Sequence, residues 1–287
     1  MNNLKTLIFS DLDGTLLDHY TYQATAAKQT LQQLQQAEIP VILNTSKTLA
    51  ELEIIHRNLE LNTPFIIENG AAIYIPINTF DRQPTDTVII GDYWLKSFSL
   101  PRQYWLDLLS EHTFEFSRYY QGFSTLSVPA LCQVTGLTEA EAKRAKQRQF
   151  AEPLIWLGDE PTKQAFVERL VSLGANVVQG GRFMHIGDYC DKGQALIWLA
   201  ERYREQFQNS AISTIALGDG ENDIAMLEAA DIAVQVRSPV HEYPILSRQY
   251  KTIKTQLNGP EGWAQAIETL LVNQLLSQSN NSEVNHG

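Results

Sequence analysis

Short, nearly unbroken apolar runs alternate along the chain with polar stretches of helical period. Residues 4–10 (LKTLIFS) read as a buried strand, 23–37 as a helix that ends before Pro40, and 41–44 (VILN) as a second buried strand. A helix over 48–59 and a strand over 64–67 follow. Strand and helix in alternation, joined by short loops, predict a parallel sheet covered by helices. A polar break at 78–88, with Asn78, Asp81, Pro84 and Asp86, changes the pattern. From there to about 187 short strands (93–98, 153–157, 176–179, 183–187) mix with helices near 102–112, 139–149 and 161–173, an α+β pattern. The first pattern then returns, with a helix over 191–207, a strand over 213–217, a helix over 222–229, a strand over 232–236 and a closing helix over 262–271. The expected division is a core of residues 1–83 and 188–276, an inserted module of 84–187 and a disordered polar tail of 277–287.

Composition adds limits. At 287 residues, 44% hydrophobic and 19% charged, this is ordinary globular composition. Two cysteines, Cys132 and Cys190, make no disulfide framework or metal knuckle. Residues 1–9 hold one Lys and too short an apolar run for a signal peptide, and no stretch approaches the roughly 20 apolar residues of a membrane helix, so a cytoplasmic location is expected. A net charge of −11 argues against nucleic-acid or anionic-membrane partners. The oligomeric state stays open.

The strongest chemical signal is Asp11-Leu12-Asp13-Gly14-Thr15, at the C-terminal end of the first strand, where open parallel sheets bind ligands. Asp11 can attack phosphorus as a carboxylate nucleophile. Asp13 can protonate a leaving oxygen and then activate water. Gly14 lets backbone come close to a phosphate. The same residues also make a plain acidic turn. Gly218-Asp219-Gly220-Glu221-Asn222-Asp223 follows the buried strand 213–217; Asp219 and Asp223 can complete an oxygen-only site suited to magnesium rather than zinc. There, Asn222 or Asp223 also suits a helix N-cap. No GxxxxGK[ST] or HExxH occurs, and the match to GxGxxG is poor.

Two further loops supply partners. In Asn44-Thr45-Ser46-Lys47-Thr48, the Thr45 hydroxyl and Lys47 can bind phosphoryl oxygens, while Thr48 with Glu51 forms a capping box. Lys192, at the start of a helix, can neutralise a phosphoryl group in flight, or be a solvated surface lysine.

In order, Asp11-x-Asp13-Gly14-Thr15, Thr45, Lys192 and Gly218-Asp219-x-x-x-Asp223 resemble the four motifs of the haloacid dehalogenase-like phosphatases, in the branch with a large cap between the second and third. The resemblance implies an α/β fold, with a Rossmann-like parallel-sheet core and an inserted α+β cap, together with Mg2+ and an aspartyl-phosphate intermediate. Its metal ligands map onto the Asp11 side chain, the Asp13 carbonyl and the Asp219 side chain, with Asp223 binding through water or in support. Thr45-Ser46-Lys47-Thr48, Glu68-Asn69-Gly70, Gly180-Gly181-Arg182-Phe183 with His185, and Gly259-Pro260-Glu261-Gly262-Trp263 further resemble the mannosyl-3-phosphoglycerate phosphatase family. That implies a small phosphorylated sugar-glycerate as substrate, contacted by Gly14, Ser46, Lys47, Asn69, Arg182 and Asn222. Asn69-Gly70 also reads as a hairpin turn, Arg182 as an exposed hairpin tip, His185 as structural, and Tyr93-Trp94 with Tyr104-Trp105 as core of the inserted module. Another sugar phosphate, a phosphomutase step, or a non-catalytic binding module remain alternatives.

Overall fold

The computed structural model describes residues 5–180, 183–207 and 211–283. In β1 (Lys5–Ser10), Leu7 and Phe9 enter the apolar cluster on one face of a sheet and Ile8 the cluster on the other, all fully buried. Both faces are covered, so the run needs no polar alternation. α1 (Lys28–Gln36), β2 (Val41–Asn44), α2 (Leu49–Asn58) and β3 (Phe65–Ile67) repeat the unit. At α2 the capping box forms as expected: Thr48 Oγ1 accepts the Glu51 N–H at 3.3 Å, and Glu51 Oε2 accepts the Thr48 N–H at 3.0 Å.

β4 (Ala72–Pro76) turns back antiparallel on β3, and then β5 (Val88–Ile90) and β6 (Tyr93–Ser97) complete that edge. This departs from the expectation that residues 93–98 form a strand of the inserted module. Tyr93 packs edge-on to Phe65 and Tyr74, at ring centroids 5.5 and 5.6 Å, and Trp94 is buried in the core of the large sheet. These aromatic contacts draw β6 onto the core. The large sheet therefore continues past residue 84.

The smaller module follows, with α3 (Arg102–His112), β7 (Tyr120–Gly122), α4 (Val128–Thr135), α5 (Glu139–Ala145), β8 (Glu152–Trp156), α6 (Glu160–Ser172), β9 (Asn176–Gly180) and β10 (Phe183–Gly187). Its antiparallel sheet runs β7-β8-β10-β9 among the described residues, and Trp105, Leu154, Phe166 and Met184 centre its own core. Trp105 sits there as expected, whereas Tyr104 is exposed.

The chain returns to the large sheet through α7 (Lys192–Gln206), β11 (Ile212–Gly218), α8 (Ile224–Ala229), β12 (Ile232–Arg237), β13 (Thr252–Asn258) and α9 (Gly259–Glu283). Among the described residues the sheet order is β13-β12-β11-β1-β2-β3-β4-β6-β5, parallel from β13 to β3. β1 and β11 are thus neighbours at the centre, and the loops after both open on the same edge. With no proline or glycine between Trp263 and Glu283, α9 runs past residue 277, where a disordered tail was expected.

His56, in the last turn of α2, is 8% exposed, lies 3.0 Å through Nε2 from the Thr63 carbonyl and packs on Phe65. Burial pushes its pKa from about 6.5 down to about 4. The unfolded chain therefore takes up this proton first as pH falls, so the stability present above pH 6.5 is lost between there and pH 4. At pH 5 the loss is about 2 kcal/mol. Urea unfolding at pH 7.5 and pH 5 checks this; His56→Gln should shrink the difference by about 2 kcal/mol and leave the share of His185, whose pKa burial likewise lowers to about 4.

Candidate active site

Asp11 leaves the end of β1, and its N–H donates to the Leu217 carbonyl at 2.9 Å, so the strand ends of β1 and β11 are tied where the acid emerges. Its carbonyl accepts from Ser10 Oγ at 2.7 Å, and Ser10 Oγ in turn accepts from the indole N–H of the fully buried Trp263 at 3.0 Å. The Gly259–Trp263 segment noted in the sequence thus acts on the site through backbone placement. Gly14 has φ +83°, and a Cβ there would stand 2.6 Å from Asp219 Oδ2. Only glycine lets the two loops close to this distance.

Lys192 is the first residue of α7, against the positive end of the helix dipole, and is fully buried. Its Nζ donates to Asp11 Oδ1 and to Asp223 Oδ1, both at 2.6 Å. Burial opposes its charge, but the two carboxylates outweigh burial and hold the ammonium above the ordinary lysine range. The solvated-lysine reading is thereby excluded. Asn44 anchors the same turn, its Nδ2 donating to the Lys192 carbonyl at 3.0 Å.

Asp223 has both oxygens engaged: Oδ1 by Lys192, and Oδ2 by the N–H groups of Asp219 and Gly220 at 3.0 and 2.9 Å. It serves here as a brace for the loop and the lysine. Asp219 accepts from Thr15 Oγ1 at 3.1 Å, and His241 Nε2 lies 3.3 Å from its other oxygen. One oxygen each from Asp11, Asp219 and Asp223 lies within 4.8 Å of the others, all three residues being buried. Burial, and then the charge of Asp11, raise the pKa of Asp219 and of Asp223. Three carboxylates facing one buried ammonium leave the cluster short of positive charge. An oxygen-only donor set with that shortfall fits a small, hard divalent cation.

Asp13 points to the other side of the loop. Its Oδ2 pairs with Lys47 Nζ at 2.7 Å, while Oδ1 is buried without a hydrogen-bond partner. The side chain lies deep in the cleft, although 36% of its surface still meets solvent. Burial raises its pKa against the pull of Lys47, with Asp11 adding to the rise, so it holds a proton more readily than an ordinary aspartate. Thr45 is buried, and its Oγ1 accepts the Lys47 N–H at 3.2 Å, leaving the hydroxyl proton free to donate.

A cavity of about 1080 Å³ opens from these loops toward the smaller module, lined in part by Ser46, Asn69, Asn222, Arg148, His185 and His241. Asn69, in left-handed conformation (φ 60°, ψ 39°), accepts from Asn222 Nδ2 at 3.2 Å. The hairpin reading of Asn69-Gly70 holds, since β3 and β4 pair across it, and the turn also lines the cavity. Gly181 and Arg182 lie outside the described residues. His241 and Arg148 carried no signal in the sequence: each approaches the site from a loop without a motif.

The sequence matches the haloacid dehalogenase-like hydrolase family over residues 8–91 and 159–243. A relative from Methanococcoides burtonii, named glucosyl-3-phosphoglycerate/mannosyl-3-phosphoglycerate phosphatase, is 39% identical over 270 residues, or 93% of this chain and 98% of its own. One of the same name from Persephonella marina is 32% identical over 279 residues, or 92% and 97%. A solved Thermoplasma acidophilum structure has the same fold, with TM-score 0.64 at 16% identity over 93% of this chain and 98% of that one.

Lys192→Met strips the carboxylates of their internal counter-ion. In the absence of divalent cations it should destabilise the protein by about 3–5 kcal/mol, read from urea midpoints at pH 7. A loss below about 1 kcal/mol would contradict the charge argument.

Proposed function

The chain belongs to the haloacid dehalogenase-like hydrolases, and from that premise we propose that it is a phosphatase releasing phosphate from mannosyl-3-phosphoglycerate, with mannosylglycerate as the other product. The observation that carries the chemistry is Asp11 at a strand end, hydrogen-bonded at 2.6 Å to a fully buried lysine. The substrate class rests on the two relatives, whose shared name covers both the mannosyl and the glucosyl ester. The glucosyl ester is therefore the second reading.

Magnesium would be held by Asp11, Asp219 and the Asp13 carbonyl, with Asp223 behind them, and when bound it supplies charge that offsets repulsion between Asp11 and the phosphate. Asp11 attacks phosphorus in line while Thr45 and Lys192 hold the phosphoryl oxygens. Asp13, its pKa raised, gives its proton to the departing glycerate oxygen. As a carboxylate it then takes a proton from the water that splits the aspartyl-phosphate, and so returns to its starting state. Gly14 and Ser46, with the side chains of Lys47, Asn69, Asn222 and Arg182, are the substrate contacts in this scheme.

The smaller module, from α3 to β10, would be the cap over the cavity, with β5 and β6 remaining part of the core. Free thiols at Cys132 and Cys190 support a reducing, cytoplasmic setting. A small anionic substrate, rather than nucleic acid, suits a −11 protein that sets Lys47, Arg148 and Lys192 about the cleft. Among the described residues no helix is long and apolar enough to cross a membrane.

Asp11→Asn should lower phosphate release by about 10³-fold or more while leaving the fold intact, and EDTA should abolish the wild-type activity. A panel of mannosyl- and glucosyl-3-phosphoglycerate, sucrose phosphate and mannose 1-phosphate tests the substrate. Faster turnover of either of the last two would overturn the proposed class.

A further inference from the structure

Two polar side chains on the cavity wall have no part in the reaction above. Arg148 follows α5 on the smaller module, with its side chain only 8% exposed. Its Nη2 donates to the Ser46 carbonyl at 3.1 Å. Its Nε lies 3.4 Å from Glu68 Oε2 without forming a hydrogen bond, and is buried. His185, on β10, lines the same cavity with a buried Nδ1 that also lacks a partner. Burial and the charge of Arg148 hold the pKa of His185 near 4, so its ring is neutral at pH 7.

Glu68 forms an ion pair with Arg148 but gives it no hydrogen bond. It accepts the N–H groups of Gln149, Phe150 and Ala151 at 2.7, 3.3 and 3.0 Å, which fixes the segment just after the arginine. The guanidinium is thus held in place by its neighbours while most of its five donors stay uncommitted. Glu68 balances the charge, but the guanidinium keeps hydrogen-bonding capacity that a second carboxylate can take up. Its planar fork is the shape that takes a carboxylate through two parallel hydrogen bonds.

Its position says which carboxylate. Ser46 stands between Thr45 and Lys47, so the guanidinium is anchored one residue from the groups assigned to the phosphate. In a 3-phosphoglycerate ester the carboxylate is two carbons from the carbon that bears the phosphate. We propose that Arg148 binds the carboxylate of the leaving group, and so selects phosphoglycerate esters over phosphate esters that lack one. This rests on the phosphatase reading of Asp11, and not on which hexose the substrate carries.

The pair 3-phosphoglycerate and glycerol 3-phosphate, which differ at the carboxylate, isolates the effect. The wild-type ratio of kcat/KM should favour 3-phosphoglycerate by about 10-fold or more. Arg148→Gln should cut that ratio by about 10- to 100-fold, chiefly through KM. Arg148→Lys, which keeps the charge and loses the fork, should recover part of it, and it carries the same test with a smaller fall should Arg148→Gln not fold. Were Arg148 only a latch between the two units, both substrates would suffer alike; an unmoved ratio therefore overturns the proposal, as does a wild-type ratio near one. Calorimetric binding of the same pair to Asp11→Asn gives the ratio without turnover. A hexosylated ester hydrolysed no faster than 3-phosphoglycerate would overturn the sugar assignment while the ratio still judges Arg148.

Discussion

Three aspartates must face one another across a few ångströms, and a single buried ammonium is what allows the protein to hold them there. Asp11 comes from the end of β1, Asp219 and Asp223 from the loop after β11, and Lys192 from the start of α7. Each needs its own element delivered to the same edge of one sheet. The adjacency of β1 and β11 answers part of that demand. Close backbone packing answers another part: at Gly70, with φ +94°, a Cβ would stand 2.1 Å from the Asp191 carbonyl. The turn after β3 and the first turn of α7 can meet only over a bare backbone. Without that approach the lysine would stand back from its acids, and their repulsion would go unopposed.

Much of this was legible in the sequence because it follows from local rules. The strands at 5–10, 41–44, 65–67 and 212–218 are covered on both faces and read as plain apolar runs. Asp11, Asp219 and Asp223 each border a strand end or helix start, where chemistry gathers, whereas Lys192 taken alone also read as a surface lysine and drew its role from the order of the family motifs. The allegiance of β6 was not legible, since Phe65 and Tyr74, the aromatic partners of Tyr93, lie on strands well before it and a strand pattern does not name its sheet. α4 and β13 were missed as well. The first is short, and the second is exposed along most of its length. Arg148 and Glu68 meet across a long stretch of chain: Glu68 opens the turn before Asn69-Gly70, which names no partner for it, and Arg148 lies in no motif.

Glu68 also explains how the smaller unit is tethered. Its carboxylate gathers three N–H groups of the segment between α5 and β8, while Thr48 Oγ1 donates to the Arg144 carbonyl at 3.1 Å and Tyr74 donates to Gln149 Oε1 at 2.5 Å. These ties concentrate on residues 144–151, where Phe150 also packs into the apolar core of the large sheet. The smaller unit keeps its own core around Trp105 and Phe166.

The hydrogen bond from Trp263 to Ser10 has a consequence for the order in which the molecule comes into being. The nucleophile's strand is made long before its partners: the contact that seats its carbonyl spans 253 residues and the bond from Lys192 to Asp11 spans 181. A nascent chain can close the smaller unit on nearby contacts while β1 still lacks its central neighbour. The reactive carboxylate therefore acquires its surroundings only once the chain as far as Trp263 has been made, so the site rests on contacts of high sequence separation.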